Sequence, residues 1–368
     1  MKIAFDHQIF NLQHYGGISR YIVRLAEHLS RRGHETKIIA PLHINQHLQQ
    51  SATARTGVRL PGFPARAAPL LLASNRALTK ACPSFFRHPD LVHETYYTDR
   101  PASLGGRALV VTVFDMIHER LRGCFHPRDA TTLRKRSAIF RADQLIAISH
   151  STKRDLCDLF NVPPDKVSVV HLGFDDLPHT GLTISTPTGR PFVLYVGQRQ
   201  GYKNFRGLLQ AIGADPGLGS TYDIVAFGGP SFSSAERRDI IEAGLREDGV
   251  HYLSGDDATL SACYRSAAAF VYPSLYEGFG LPPLEAMACG CPVISSGTSS
   301  MPEVIGDAAE FFDANDTDSM RQAILSVLSN HERQQQLVQA GLQRVRRFSW
   351  DKCATETAIA YQLALDHQ

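Results

Sequence analysis

The chain has 368 residues and a formal net charge of +2, with 43% hydrophobic and 20% charged residues. At ~150 residues per domain the length points to two domains or one large α/β unit. The apolar content suffices for packed cores and excludes global disorder, and the near-neutral balance excludes a polyelectrolyte built for nucleic acid. No run of about 18 consecutive apolar residues occurs, so no transmembrane helix is expected. The opening MKIAFDHQIF runs straight into a strand pattern, without a basic leader or an apolar signal region. Seven cysteines, odd in number and scattered, suit reduced thiols in a cytoplasmic protein. Cys289 and Cys291 form only C-x-C with no second ligand pair nearby, so no metal site is expected there.

Short apolar runs alternate with helical patterns, which is the signature of βαβ units. Lys2–Asp6 reads as a strand, followed by a glycine-containing loop and a helix from about Ile18 to Arg32. Ile18, Ile22, Leu25 and Leu29 share one face of that helix and Gly33 stops it. Thr36–Ala40, Leu91–His93, Ala108–Val113, Leu145–Ile148 and Val167–Val170 are further strand candidates. A Pro-, Thr- and Gly-rich stretch at 174–190 reads as a linker. The second half restarts with the strand Phe192–Val196 and a helix near Asn204–Ile212. The strand Asp223–Phe227, a charged helix from Ala235 to Leu245, and strands at Ala268–Tyr272 and Pro292–Ser295 follow. Helical patterns near 317–329, 331–346 and 351–365 finish the chain. The expected organisation is an N-terminal Rossmann-like domain over 1–174, a linker over 175–190, a second Rossmann-like domain over 191–350 and a terminal helix over 351–368. In such a pair of α/β domains facing a central cleft, ligands are expected outside the carboxyl ends of strands.

Charge is unevenly spread. Residues 1–180 carry 24 Lys+Arg against 15 Asp+Glu, while residues 181–368 carry 14 against 21. Residues 36–89 hold no acid at all, but contain Lys37, Arg55, Arg59, Arg66, Arg76, Lys80 and Arg87, interleaved with Leu70, Leu71, Leu72, Phe85 and Phe86. Basic groups beside apolar ones suit an anionic membrane surface, and equally a solvated basic face over core leucines. No nucleic-acid recognition signature accompanies the charge.

The chain lacks G-x-G-x-x-G after a strand, G-x-x-x-x-G-K-[ST], H-E-x-x-H and G-x-S-x-G. Three segments carry chemistry instead. Gly16-Gly17 lies between a strand and a helix, where glycine allows close backbone approach to an anion, although such a pair is often only a turn. Arg199 and Lys203 leave the end of one strand in the loop Gly197–Asn204, a pattern that suits a diphosphate or simply two surface cations. In Tyr276–Gly290, Glu277 and Glu285 are separated by seven residues, with a glycine loop and two prolines at a helix start between them. An ionised carboxylate accepts two hydrogen bonds from a diol, and the amides of Phe279, Gly280 and Leu281 sit where a helix dipole favours negative charge.

On these segments the chain resembles the retaining family 4 glycosyltransferases, which have the GT-B fold. Glu277 and Glu285 match the family's E-x7-E region, Gly197–Asn204 its basic loop, Pro292–Val304 its next strand and turn, and Gly16-Gly17 its N-terminal glycine loop. The likeness is strong over 190–312 and looser over 40–105, and it points toward bacterial mannosyl- and rhamnosyltransferases. It implies that Arg199 and Lys203 hold the donor diphosphate, Glu277 the donor sugar and Glu285 the nucleotide ribose. Gly17, Asn204 and the amides at 279–281 would complete the donor site, and the last helix would return to the first domain. The family's His-Asp pair is incomplete, since Phe114 stands where the histidine would be and Asp115 is kept. Asp115 is then a catalytic candidate, and Gly16, Asp115 and His118 are acceptor-binding candidates.

The implied function is transfer of a sugar, with retention, from a nucleoside-diphosphate sugar (a GDP-sugar first) to a saccharide or lipid-linked acceptor in surface polysaccharide synthesis. No metal or other cofactor is expected. The alternatives are a soluble transferase with a small acceptor, or a non-catalytic glycan- or nucleotide-sugar-binding module. The expected location is cytoplasmic, peripheral on the inner face of the membrane.

Overall fold

The computed structural model describes residues 1–53, 55–64, 67–81, 88–101 and 104–366; Arg66, Phe85, Phe86 and Arg87 of the basic stretch lie outside the described residues. The chain divides into two compact units, Met1–Gly173 with Ser349–Gln368, and Phe174–Phe348.

The first unit is built on β1 (Lys2–Phe5), β2 (Glu35–His43), β3 (Arg55–Arg59), β4 (Leu91–Glu94), β5 (Ala108–Val113), β6 (Gln144–Ala147) and β7 (Val167–Val169). They form a parallel sheet in the order β3-β2-β1-β4-β5-β6-β7. The second unit holds β8 (Phe192–Val196), β9 (Asp223–Phe227), β10 (Val250–Leu253), β11 (Ala269–Tyr272), β12 (Val293–Ser296) and β13 (Ala309–Phe312). Their parallel order is β10-β9-β8-β11-β12-β13. The central strands are buried and mostly apolar because helices and connections cover a parallel sheet on both faces. Every residue of β8 and β9 is buried.

Each sheet reverses direction once. In the first unit β1 lies between β2 and β4, and in the second β8 lies between β9 and β11. Connections leave such a pair of strands in opposite senses, so the loops at their carboxyl ends part and leave a crevice.

Local signals explain most element boundaries. The helix Gly17–Arg31 buries Ile22, Leu25 and Leu29. It ends on Gly33 (φ +85°), whose N–H donates to Ser30 while that of His34 donates to Leu29. The helix expected to reach Leu245 stops at Glu242 for the same reason: Gly244 (φ +79°) turns the chain and the Leu245 amide reaches back to Ile240. The stretch expected as a linker is fastened to the second unit, since Ile184 N–H donates to Ser266 and Thr188 Oγ1 to the Asp223 carboxylate.

The terminal helix Trp350–Asp366 packs on the helix Gly17–Arg31 and on β5 and β6. Its Tyr361 hydroxyl meets His93 Nδ1 at 2.6 Å, and His93 Nε2 meets Thr112 Oγ1 at 2.9 Å, all buried. Burial holds the His93 ring neutral, with its pKa pushed down to about 3. Tyr361→Phe leaves that nitrogen unpaired, so the first unit should lose about 1–3 kcal/mol. Urea unfolding followed by the fluorescence of Trp350, the single tryptophan, measures this.

The same assay reads a pH effect. Burial also pushes His7 and His43 down to about 4, helped by Arg76 and Arg55 respectively. Depressed histidines contribute stability above pH 6.5 that is lost as pH falls through their folded values. Asp6, raised by burial to about 6, acts in the opposite sense between its ordinary 3.8 and that value. Three groups outweigh one, so stability should fall from pH 6.5 to about 4, and Asp6→Asn should steepen the fall.

Candidate functional site

The reversal point of the second sheet carries most of the candidate residues. β8 gives way to Gly197 (φ +128°), and the chain passes through Arg199 and a 3-10 turn, Gly201–Lys203. Asn204, left-handed at φ +55°, then opens the helix Phe205–Gly213, and its side chain donates to the Ala314 carbonyl. β11, next to β8, ends in the loop that carries Glu277. The Leu275 amide donates to the Tyr202 carbonyl at 2.7 Å, which ties the two loops together.

Across that junction Lys203 Nζ donates to Glu277 Oε1 at 2.6 Å. Both side chains are mostly buried, with 19% and 10% exposure. The ammonium also lies 5.2 Å from the Tyr202 ring and 5.6 Å from the Tyr272 ring, where the π faces favour a cation. Burial, and next the Glu277 charge, push the Tyr272 hydroxyl far above its usual range, so it stays a neutral donor. Glu277 is pinned from the segment after β12: its N–H donates to Ser299 Oγ, and Ser300 Oγ donates to its carbonyl. Ser299, Ser300 and Tyr272 escaped the sequence reading, because a serine in a turn and a tyrosine in a buried strand carry no signal of their own.

The helix Leu281–Ala288 starts on Gly280 (φ +99°), where a Cβ would meet Met301 Cε at 2.5 Å. Pro282 and Pro283 follow, and neither has an N–H to offer. The amides of Gly280 and Leu281 donate to no described residue. Glu285 is one turn further along and accepts from the Tyr264 hydroxyl at 3.4 Å.

Arg199 is placed differently from Lys203. Its guanidinium is 2% exposed and gives Nε to Glu236 at 2.7 Å, Nη1 to the Gly228 carbonyl at 2.8 Å and Nη2 to the Pro230 carbonyl. It also lies 4.8 Å from the Phe232 ring and 5.6 Å from the Tyr252 ring. Burial alone would raise the Glu236 carboxyl, but hydrogen bonds from Arg199 and Ser233 hold it below its usual value. The pattern of two open cations in one loop therefore changes: Lys203 faces the Glu277 loop, and Arg199 is bound into the loop after β9. Glu236 closes a capping box begun by Ser233, one residue past the expected helix start at Ala235, and nothing in the sequence marked it as the partner of Arg199.

The remaining candidates belong to the first unit. Gly16 is the N-cap of the helix Gly17–Arg31, and a Cβ there would meet Gln13 Oε1 at 2.4 Å, whereas Gly17 faces open space. Phe114 is buried edge-on against Tyr21 at 5.5 Å, so it serves the core. Asp115 accepts from the Ile117 amide and from Lys135, whose buried ammonium also meets Glu119 at 2.8 Å. His118 stacks on Phe125 at 3.9 Å and lies 3.5 Å from Asp129.

Two parallel α/β units of this connectivity form the architecture of the GT-B glycosyltransferases. The model for "Glycosyl transferases group 1" matches residues 184–344, and that for "Glycosyltransferase Family 4" matches residues 15–176. The chain belongs to this glycosyltransferase family. It is 34% identical over 252 residues to an O-antigen chain mannosyltransferase B of Escherichia coli, covering 65% of this chain and 66% of that protein, just under two thirds of it. A D-inositol 3-phosphate glycosyltransferase of Acidothermus cellulolyticus is 26% identical over 95% of this chain and 86% of its own length. Among solved structures, a sucrose-phosphate synthase of Thermosynechococcus elongatus superposes with a TM-score of 0.75 at 21% identity, covering 98% of both chains, and so supports the fold.

Gly280→Ala should lower the stability of the second unit, because both its backbone angle and Met301 oppose a Cβ. Met301→Ala in the same chain should recover the steric share and leave the backbone share. Thermal unfolding of the single and double variants separates the two.

Proposed function

We propose that the chain transfers a mannose-type hexosyl group, with retention, from a nucleoside-diphosphate sugar to a hydroxyl of a saccharide or lipid-linked acceptor in surface polysaccharide synthesis. The observation that carries this reading is the Lys203–Glu277 pair at the reversal point of the second sheet, beside the amides of Gly280 and Leu281. Lys203 and those amides face the charge that grows on the leaving diphosphate. Glu277 orients the sugar hydroxyls and Glu285 accepts from the ribose. Arg199, held by Glu236 and two carbonyl oxygens, fixes the loop after β8 that carries Lys203. In the step itself the bond from the anomeric carbon to the phosphate oxygen breaks. The bond to the acceptor oxygen forms on the same face, and the departing phosphate oxygen takes the acceptor's proton. Asp115 and His118 are proposed on the acceptor side.

The mannosyl preference follows the name of the Escherichia coli relative and makes a GDP-sugar the first donor to test. The name of the Acidothermus relative supports a second reading, a small phosphorylated acceptor. No metal is required in this scheme, so turnover should survive EDTA. Lys203→Ala should cost on the order of 3 kcal/mol, about a hundredfold in kcat. Glu277→Ala should lose turnover and keep nucleoside-diphosphate binding. A panel of nucleoside diphosphates in thermal unfolding identifies the base, since the right one stabilises most. If the unaltered chain binds a sugar nucleotide and turns over none of it, with any acceptor, the binding-module reading replaces this one.

Peripheral membrane attachment belongs to the same proposal. No described helix is long and apolar enough to cross a membrane. The helix Ala68–Ala81 turns Leu70 and Leu78 outward, 66% and 42% exposed, within the acid-free stretch 36–89. The chain should sediment with anionic vesicles and not with zwitterionic ones, and Leu70→Ser with Lys80→Gln should release it.

A further inference from the structure

A pocket of about 420 Å³ opens at the outer edge of the second sheet, beside β10. Val225 of β9, Leu253 of β10, Phe232 after β9 and Ile184 before β8 form its apolar walls, all within the second unit. β10 lies two places from β8 in the sheet, apart from the β8–β11 junction that carries Lys203 and Glu277. No acid lines the pocket among the described residues. Arg237 does line it, is exposed, and makes no ion pair with a described residue. His251 lines it from β10, with Nε2 at 3.0 Å from the buried Asp223 carboxylate. Burial alone would raise the Asp223 carboxyl, but hydrogen bonds from Thr188 and His251 hold it below its usual value, so it is ionised at neutral pH. An ionised carboxylate only accepts, so the His251 proton sits on Nε2 and the neutral ring keeps a lone pair at Nδ1. That nitrogen meets no described residue.

The pocket thus offers a guanidinium without an anion and an imidazole nitrogen without a donor, set among apolar side chains. A single planar fork matches a carboxylate through two parallel hydrogen bonds, whereas a phosphate dianion calls for a second cation that this lining lacks. The Nδ1 lone pair calls for a hydroxyl. The Phe232 ring, set edge-on to Tyr252 at 6.2 Å, gives a flat wall for another ring. The volume falls in the range of roughly 300–1,000 Å³ common to small-molecule sites. We propose that this pocket binds a small aromatic carboxylate that carries a hydroxyl, with the carboxylate on Arg237, the hydroxyl donating to His251 Nδ1 and the ring against Phe232. The ligand is a molecule other than the sugar donor, and the proposal does not rest on the glycosyl-transfer reading.

Calorimetric titration of the full chain with p-hydroxyphenylacetate tests this, with and without a saturating nucleoside diphosphate. The acid should bind equally well in both cases. Phenylacetate lacks the hydroxyl and tyrosol has an alcohol in place of the carboxylate, so each should bind about tenfold more weakly. Arg237→Gln should abolish the preference for the acid over tyrosol and keep its preference over phenylacetate. His251→Phe should do the reverse. A merely structural role for either residue would instead weaken all three probes alike. Arg237 is exposed, so its variant carries the test if His251→Phe, which takes a partner from Asp223, fails to fold. Absent binding, equal affinity for the three probes, or uniform weakening by Arg237→Gln overturns the proposal. Displacement of the acid by the nucleotide overturns it too, because the pocket would then belong to the donor site.

Discussion

The second unit turns on one ion pair. Lys203 and Glu277 come from loops after adjacent strands, and each is mostly withdrawn from water. A charge so placed is tolerable only while its partner stays, because the desolvation cost of either ion alone is several kcal/mol. The pair therefore holds the two loops in register and keeps a cation at the crevice without leaving it unpaired. In the proposed donor complex a diphosphate would give Lys203 a second anion and a sugar hydroxyl would give Glu277 a donor, so that both ions would keep hydrogen bonds as the ligand enters.

Arg199 answers the same problem in the opposite way. Its charge is compensated by Glu236 and two carbonyl oxygens, and its plane is covered by Phe232 and Tyr252. Such a guanidinium contributes position before it contributes charge, since moving it would strand the Glu236 carboxylate. Two cations four residues apart thus have different electrostatic duties. The difference comes from what the neighbouring strands bring: β11 brings an acid from a loop, and β9 brings carbonyls and a helix cap.

Spacing reveals local order and conceals partners. The central strands were legible because buried parallel strands read as unbroken apolar runs, and Ala108–Val113, Phe192–Val196 and Asp223–Phe227 match to the residue. The strands that went unread, Arg55–Arg59, Val250–Leu253 and Ala309–Phe312, all lie at sheet edges, where half the surface is open and the pattern weakens. In the site, Glu277 and Lys203 stood out through glycine and charge. Nothing in the sequence joined Glu236 to Arg199 across 37 positions, or Ser300 to Glu277 across 23, because those contacts exist only once the sheet is assembled.

The two units share one construction and differ in how they balance charge at its crevice. In the second, the cation is met by an acid from the adjoining strand's loop. In the first, Arg76 lies in a stretch from which acids are missing altogether, so its partner cannot come from its own segment. The loop after β4 supplies Asp99, but no ion pair forms. An arginine at a concave surface with no ion-pair partner among the described residues gains most from an anion that brings fixed acceptors. The same connectivity thus yields a self-neutralised crevice in one unit and an electropositive one in the other, and the difference follows from which side chains the loops and helices bring to each reversal point.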